Sequence, residues 1–212
     1  HTPSLINKYA IARDICSTLH NLFLGSFTDT MLAITGHTKS KTEVFTDLSI
    51  NIVNNNVIDS LKDYMEERTI DMSDGGWELP DGRRVEATKK TVIERWPQIL
   101  VLHLKRFDIR TLQRRVKVKN KRGKVVKKDG KIVYRNETRV VPHKYLTPIN
   151  IDETFNIQDI NPQFDNINYT LYSVIIHNGN SANNGHYFNY SRDPISSTSW
   201  LKLDDSRVSE IT

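Results

Sequence analysis

The chain has 212 residues, 37% hydrophobic and 26% charged, an ordinary globular composition with length enough to bury a core as one domain or two subdomains. Its single cysteine excludes an internal disulfide framework and any Cys-x-x-Cys zinc clamp, and no stretch reads as a membrane span or signal peptide, so a reducing intracellular setting, cytoplasm or nucleus, is expected. The net charge of +5 is concentrated in one segment, which argues for a local cationic surface rather than a basic protein throughout.

Thr2-Pro3 offers an N-cap and a first-turn proline, and Leu5, Ile6, Tyr9, Ala10, Ile15, Leu19 and Phe23 follow at helix-like intervals, with Gly25 as the stop. Cys16 falls inside this pattern beside Ile15 and Leu19, where a small buried hydrophobe is expected and no activating context is near. Thr42 to Ile52 alternates as a strand should. An Asn54-Asn55-Asn56 turn then leads to a short amphipathic helix, with Asn56 as N-cap and Val57, Ile58, Leu61, Tyr64 and Met65 on the core face.

Trp77 to Lys89 reads as a hairpin turning at Asp81-Gly82. The near-continuous apolar run from Trp96 to Asp108 predicts a strand covered on both faces, with Arg106 ion-paired at its end. His37 and His103 stand alone in sequence and are read as surface or core residues rather than ligands. From Arg110 to Arg139 cationic and apolar residues alternate about Asp129-Gly130, predicting a projecting hairpin whose lysines guard a solvated edge. An acidic partner is the sharper reading of that hairpin. Nucleic acid is disfavoured, because Tyr134 alone is available for stacking there. Thr147 to Asn166 reads as a loop with a short helix.

The last third carries the chemistry. Leu171, Tyr172, Val174, Ile175 and Ile176 predict a buried strand ending in a polar, glycine-containing loop that delivers Gly185-His186-Tyr187 onto a second strand. Trp200-Leu201-Lys202-Leu203 predicts a third, which stops on Asp204-Asp205. Adjacent antiparallel strands bring an imidazole and a carboxylate into hydrogen-bonding range, the base and orienter of a nucleophilic site. Gly185 permits close approach of a backbone or a peptide substrate.

Strand, His-x-Gly, polar loop, Gly-His-Tyr, aromatic strand and Trp-x-x-hydrophobic-Asp-Asp together resemble the histidine and aspartate boxes of the ubiquitin-specific protease family. Leu22-Phe23-Leu24-Gly25, Phe45-x-Asp-Leu-Ser, Leu104-Lys105-Arg106-Phe107 and Val140-Val141-Pro142 are similar to further family segments, so the likeness runs from about Leu22 to Val208, interrupted by a basic insertion. It implies an α+β, papain-like cysteine protease fold with a mostly antiparallel sheet, a fingers-like region over about 26–95 and a palm-like region over about 96–212. It implies hydrolysis of the isopeptide bond after ubiquitin's C-terminal glycine, with ubiquitin and ubiquitinated proteins as partners, no cofactor and no membrane. His186 is the implied general base and Asp204 the orienting carboxylate, assisted by Asp205; His177, Gly185 and Tyr187 flank the channel for ubiquitin's tail. The family's nucleophile stands in a Gly-Asn-Thr-Cys-Tyr type of motif upstream of its Leu-Phe-x-Gly segment, and Asp14-Ile15-Cys16-Ser17 lacks that context, which places the nucleophile before His1. Where many relatives hold a structural zinc with four cysteines, this chain has Ala33, Gly36, Glu78 and Asp81, so no metal is expected. A ubiquitin-binding scaffold without activity, and less so a nucleic-acid module using the hairpin, are the alternatives.

Overall fold

A computed structural model describes residues 18–181, 184–196 and 198–211. Cys16 and most of the first expected helix lie outside the described residues; residues 18–23 are helical. The chain divides into two compact units, one formed by the described residues up to Lys105 with Pro148–Leu171, the other by Arg106–Thr147 with the residues from Tyr172 onward. Among the described residues no helix is long and apolar enough to cross a membrane.

The first unit is built on an antiparallel sheet. β1 (Gly25–Ala33) lies between β2 (Thr38–Phe45) and β7 (Ala87–Arg95), and β4 (Arg68–Ile70) pairs with the far side of β7. Gly25 starts β1 instead of merely stopping a helix: it lies opposite Phe45, and a Cβ there would come within 2.2 Å of the Phe45 ring. The expected strand over Thr42–Ile52 is broken into β2 and the short β3 (Leu48–Ile50), and β3 turns away to pair with β8 (Leu102–Leu104) in parallel. Helix α1 (Val57–Met65) starts as the sequence indicates. Asn54 and Asn55 take positive φ, and the Asn56 side chain accepts the Asp59 amide at 3.0 Å. Val57 and Leu61 then join Phe45, Leu48, Ile50 and Ile93 in the buried core.

The run from Trp96 to Asp108 departs from expectation. It is a strand only over β8 and at its last two residues, Phe107 and Asp108, which open the next strand, while Ile99 and Val101 are exposed. Pro97 supplies no amide to a ladder, while its carbonyl accepts the Tyr169 hydroxyl. β13 (Thr154–Asn156) and β14 (Asn168–Thr170) pair across a 3-10 turn whose Asn156–Asp159 capping box accounts for the short helix expected there. β5 (Trp77–Glu78) and β6 (Arg84–Val85) form the hairpin about Asp81-Gly82, with Gly82 at positive φ.

The second unit holds an eleven-pair ribbon, β9 (Phe107–Lys117) with β12 (Tyr134–Lys144), and a four-stranded antiparallel sheet. Its strands in order are β15 (Ser173–Ser181), β16 (Asn184–Arg192), β17 (Trp200–Asp204) and β18 (Arg207–Ile211). β10 (Lys127–Lys128) and β11 (Lys131–Ile132) make a small hairpin within the ribbon's far end. Among the described residues every fully buried apolar side chain belongs to the first unit. Accordingly the strand expected to be buried is exposed on one face, with Ile175 72% accessible. Among the described residues Arg106 forms no ion pair: its guanidinium donates to the Tyr145 and Thr147 carbonyls at 3.1 and 2.9 Å, and burial lowers its pKa.

Candidate active site

Register places the site. Asn178 faces His186 across β15 and β16, and Asn189 faces Leu203 across β16 and β17. Because side chains alternate along a strand, His186, Phe188 and Tyr190 share a sheet face with Lys202 and Asp204, while His177, Tyr187 and Ile175 lie on the other.

On the first face the His186 Nε2 lies 2.5 Å from Asp204 Oδ1. An ionised carboxylate only accepts, so Nε2 carries the proton and Nδ1 keeps the lone pair. The imidazole is about half exposed, with a side-chain accessibility of 49% against 27% for Asp204. The hydrogen bond that His186 donates to Asp204 raises the His186 pKa above its ordinary value, with further support from the charges of Asp204 and Asp205 and opposition from desolvation and Lys202. Lys202 Nζ donates to the other oxygen, Oδ2, at 2.8 Å. This lysine is the larger cause, and His186 the next, of an Asp204 pKa lowered to about 2. Lys202 also lies over the Phe188 ring at 4.5 Å, and Phe188 meets Tyr190 edge-on at 5.4 Å. Asp204 is therefore gripped by two donors, which fixes its plane and with it the imidazole's. Asp205 takes φ +52 at the turn into β18, and its carboxylate lies within 4.8 Å of the His186 and Asp204 ligand atoms.

The opposite face holds His177, Gly185 and Tyr187 together. The His177 ring stacks at 4.7 Å on Tyr187 and lies 6.1 Å from Phe107. Tyr187 is 62% exposed, unlike a core residue. Gly185 has a tighter reason to be glycine than an approaching peptide: a Cβ there would sit 2.1 Å from His177 Nε2 and 2.8 Å from the Asn178 carbonyl. Gly179 is as close to β16, with a Cβ 2.5 Å from the Asn184 carbonyl. The two glycines let the strands close together where the ladder shifts register between Asn178 and Ser181.

Two residues that sequence reasoning missed complete the arrangement. Lys202 was readable from strand period, since residues two apart share a face. Lys144 was not, because nothing in Pro142-His143-Lys144 marks it. Only 8% exposed, its Nζ reaches the His177 and Gly179 carbonyls at 2.7 and 2.6 Å and His177 Nδ1 at 3.0 Å. Three donors thus meet three acceptors, and His177 Nδ1 must be the accepting nitrogen.

His186, Asp204 and Asp205 are the one group of three potential metal ligands among the described residues. The His186–Asp204 bond and the Lys202 ammonium on the same carboxylate already occupy its oxygens, which argues against a cation there. Ala33 and Gly36 offer no ligand atoms, and Glu78 and Asp81 are paired with Arg84 and Arg83, so the residues in that region do not fit a zinc. His37 packs on Trp77 and His103 bonds Ser49.

The profile of the "Ubiquitin carboxyl-terminal hydrolase" family matches residues 7–212. Among curated relatives, ubiquitin carboxyl-terminal hydrolase 23 of Arabidopsis thaliana is 27% identical over 92% of this chain and 20% of its own length. Ubiquitin carboxyl-terminal hydrolase 46 of Caenorhabditis elegans is 27% identical over 97% of this chain and 42% of its own. The chain thus spans less than half the length of these relatives. Among solved structures, the SAGA DUB module of Ubp8, Sgf11, Sus1 and Sgf73 bound to monoubiquitin aligns with TM-score 0.64 at 22% identity, over 91% of this chain and 38% of that one. A yeast SAGA DUB module aligns with TM-score 0.69 at 21% identity, over 99% and 42%. At that identity the likeness is one of fold. With the family profile matched across nearly its whole length, this chain belongs to the ubiquitin carboxyl-terminal hydrolases of the ubiquitin-specific protease type.

Proposed function

We propose that this chain supplies the base and orienter of a thiol-dependent deubiquitinase, and that the nucleophilic cysteine comes from a segment other than the one it carries here. The observation that carries this reading is the His186–Asp204 contact at 2.5 Å on a half-exposed imidazole. It leaves Nδ1 as the nitrogen able to take a thiol proton. The thiolate then attacks the carbonyl of ubiquitin's terminal glycine. As the tetrahedral intermediate collapses, the imidazolium gives its proton to the leaving lysine amine. Water, deprotonated by the same imidazole, next attacks the thioester; collapse of that intermediate returns the proton to the thiol and releases ubiquitin's carboxylate. Asp204 holds the tautomer throughout, and Asp205 adds negative charge beside it.

In this proposal residues of about 26–95 form the fingers portion and residues of about 96–212 the palm portion of a papain-like fold, a division that differs from that of the two compact units, since Pro148–Leu171 lie with the first. His177, Gly185 and Tyr187 contact ubiquitin's tail, and the exposure of Tyr187 supplies apolar area for it. Since His177 and Tyr187 lie on the sheet face opposite His186, a tail meeting all three passes around the end of the β15–β16 hairpin. The substrate is ubiquitin joined to protein lysines.

The test uses the longer parent protein and a ubiquitin–fluorophore reporter. His186→Ala is expected to lower turnover by about 10²–10⁴-fold while ubiquitin affinity is retained. Unchanged turnover would end the assignment of His186. A parent that binds ubiquitin and turns over nothing would make the chain a scaffold. Turnover by the 212-residue chain that Cys16→Ala abolishes would relocate the nucleophile to Cys16.

A further inference from the structure

The far end of the ribbon is not the single hairpin expected about Asp129-Gly130. The stem runs in register to Tyr134 opposite Lys117 and then forks. Three valines close the fork: the Val118 amide donates to the Val133 carbonyl at 2.9 Å, Val126 to Val118 at 2.8 Å, and Val133 to Val126 at 3.0 Å. From this ring of three bonds two short hairpins issue. One turns over Asn120–Gly123, with Gly123 at φ +77 and the Asn120 side chain accepting the Arg122 and Lys124 amides at 3.0 Å. The other turns at Asp129-Gly130, both at positive φ. Local turn chemistry thus builds both lobes with no apolar core behind them.

Charge is what the lobes display. Residues 110–139 hold thirteen of the chain's 30 Lys and Arg but only Asp129 and Glu137 of its 25 acids, a local charge of +11 that leaves −6 for the remainder of a chain of +5. Lys121, Arg122 and Lys124 stand on one lobe and Lys127, Lys128 and Lys131 on the other. All six are exposed, and none has an ion pair among the described residues. Guarding a strand edge takes a lysine or two. A charge of +11 in thirty residues repels itself and needs a counter-charge.

The chemistry narrows the partner. A folded protein partner calls for an apolar, aromatic-rich interface core, and the six cations on the lobes adjoin only Val125 and Tyr134 as exposed large apolar side chains among the described residues. A single nucleic-acid strand calls for several stacking platforms, and Tyr134 is the one aromatic residue of the 110–139 segment, with the Arg115 guanidinium over its ring at 4.9 Å. The shortage of aromatic residues therefore weighs against single strands and says nothing against a duplex, whose phosphates can be neutralised without touching a base. We propose that the forked tip of the ribbon binds the phosphate backbone of a nucleic-acid duplex without reading its sequence. None of these residues is among those bonded at the His186 site, and duplex binding here does not rest on that site's function.

The experiment is fluorescence anisotropy of the chain with a labelled DNA duplex of about 20 base pairs, titrated between about 50 and 200 mM salt. Six phosphate contacts predict a slope of log K against log[salt] of about −5, and a loss in affinity of about 10³-fold across that range. Neutralising one lobe (Lys127→Gln, Lys128→Gln, Lys131→Gln) should shallow the slope by about 3. Neutralising the other (Lys121→Gln, Arg122→Gln, Lys124→Gln) should do the same, which guards against one variant failing to fold. A scrambled duplex should bind equally well. No binding at the lowest salt, a slope unaffected by either triple variant, or tighter binding to a poly-glutamate peptide, to phosphatidylserine vesicles or to a single strand would overturn the proposal.

Discussion

Replacing Gly185 with alanine separates a glycine kept for packing from one kept for substrate. The added methyl would lie 2.1 Å from His177 Nε2 and 2.8 Å from the Asn178 carbonyl. Ordinary contact begins near 3.4 Å, so the ring must retreat by about 1.3 Å and the β15 backbone by about 0.6 Å. Neither is free to do so. Lys144 holds His177 by both Nδ1 and its carbonyl, and Tyr187 covers the ring at 4.7 Å. Overpacking of this kind costs about 1–3 kcal/mol, offset by the about 0.4–1 kcal/mol that alanine gains from a stiffer unfolded chain. A net loss of about 1–2 kcal/mol follows, which for a chain of 212 residues lowers the melting temperature by about 2–8 °C. Circular dichroism reads that shift, and the His186 ring resonances should move with it because residue 185 carries residue 186. A Gly185→Ala protein that melts within about 0.5 kcal/mol of the wild type, with unmoved His186 resonances, would refute the packing argument.

Other outcomes follow from the same contacts. Asp204→Asn should lower the His186 titration midpoint seen by proton NMR, and Lys202→Met should raise it, since Asp204 is its largest support and Lys202 opposes it. Because the His186 pKa is raised by folding, its share of stability is whole below about 6.5 and is lost as pH rises through the folded value. Because Asp204 is lowered to about 2, its share is whole above about 3.8 and is lost as pH falls toward that value. Urea midpoints of wild type and Asp204→Asn should therefore differ most near pH 5, with the gap shrinking on both sides; a gap constant with pH would contradict the pairing. Lys144→Met should cost about 1–3 kcal/mol by stranding the His177 and Gly179 carbonyls, with faster hydrogen exchange at the β15 end. Asn56→Ala should cost about 1 kcal/mol through loss of the α1 cap, read from the same midpoints.

Much of this was legible because short-range rules decided it. Asn56 and its turn, the Asp81-Gly82 and Asp129-Gly130 turns and the meeting of His186 with Asp204 follow from local backbone preference and from the period of two along neighbouring strands. Long apolar runs misled. Trp96 to Asp108 reads as one covered strand, yet Pro97 denies its start a ladder and the run is split between Leu102–Leu104, paired with β3, and Phe107–Asp108, which open β9, because its apolar residues pack among core side chains from loops as well as strands. Thr42 to Ile52 alternates well enough for one strand, but tertiary pairing turns β3 onto β8. Gly185 reads in the sequence as allowing close approach of a backbone, and the Asn178 carbonyl makes that approach; the nearness of the His177 ring, on the paired strand, carries no sequence signal. Lys144 was invisible because its acceptors are backbone carbonyls, which every residue possesses.

The account rests on which nitrogen of His186 carries the proton. A long-range proton–nitrogen correlation spectrum of this ring, recorded above its titration midpoint, reads the tautomer directly. The structure predicts the Nε2–H form, with its population falling when Asp204 is replaced by alanine. A dominant Nδ1–H form, or a tautomer indifferent to that replacement, would contradict it.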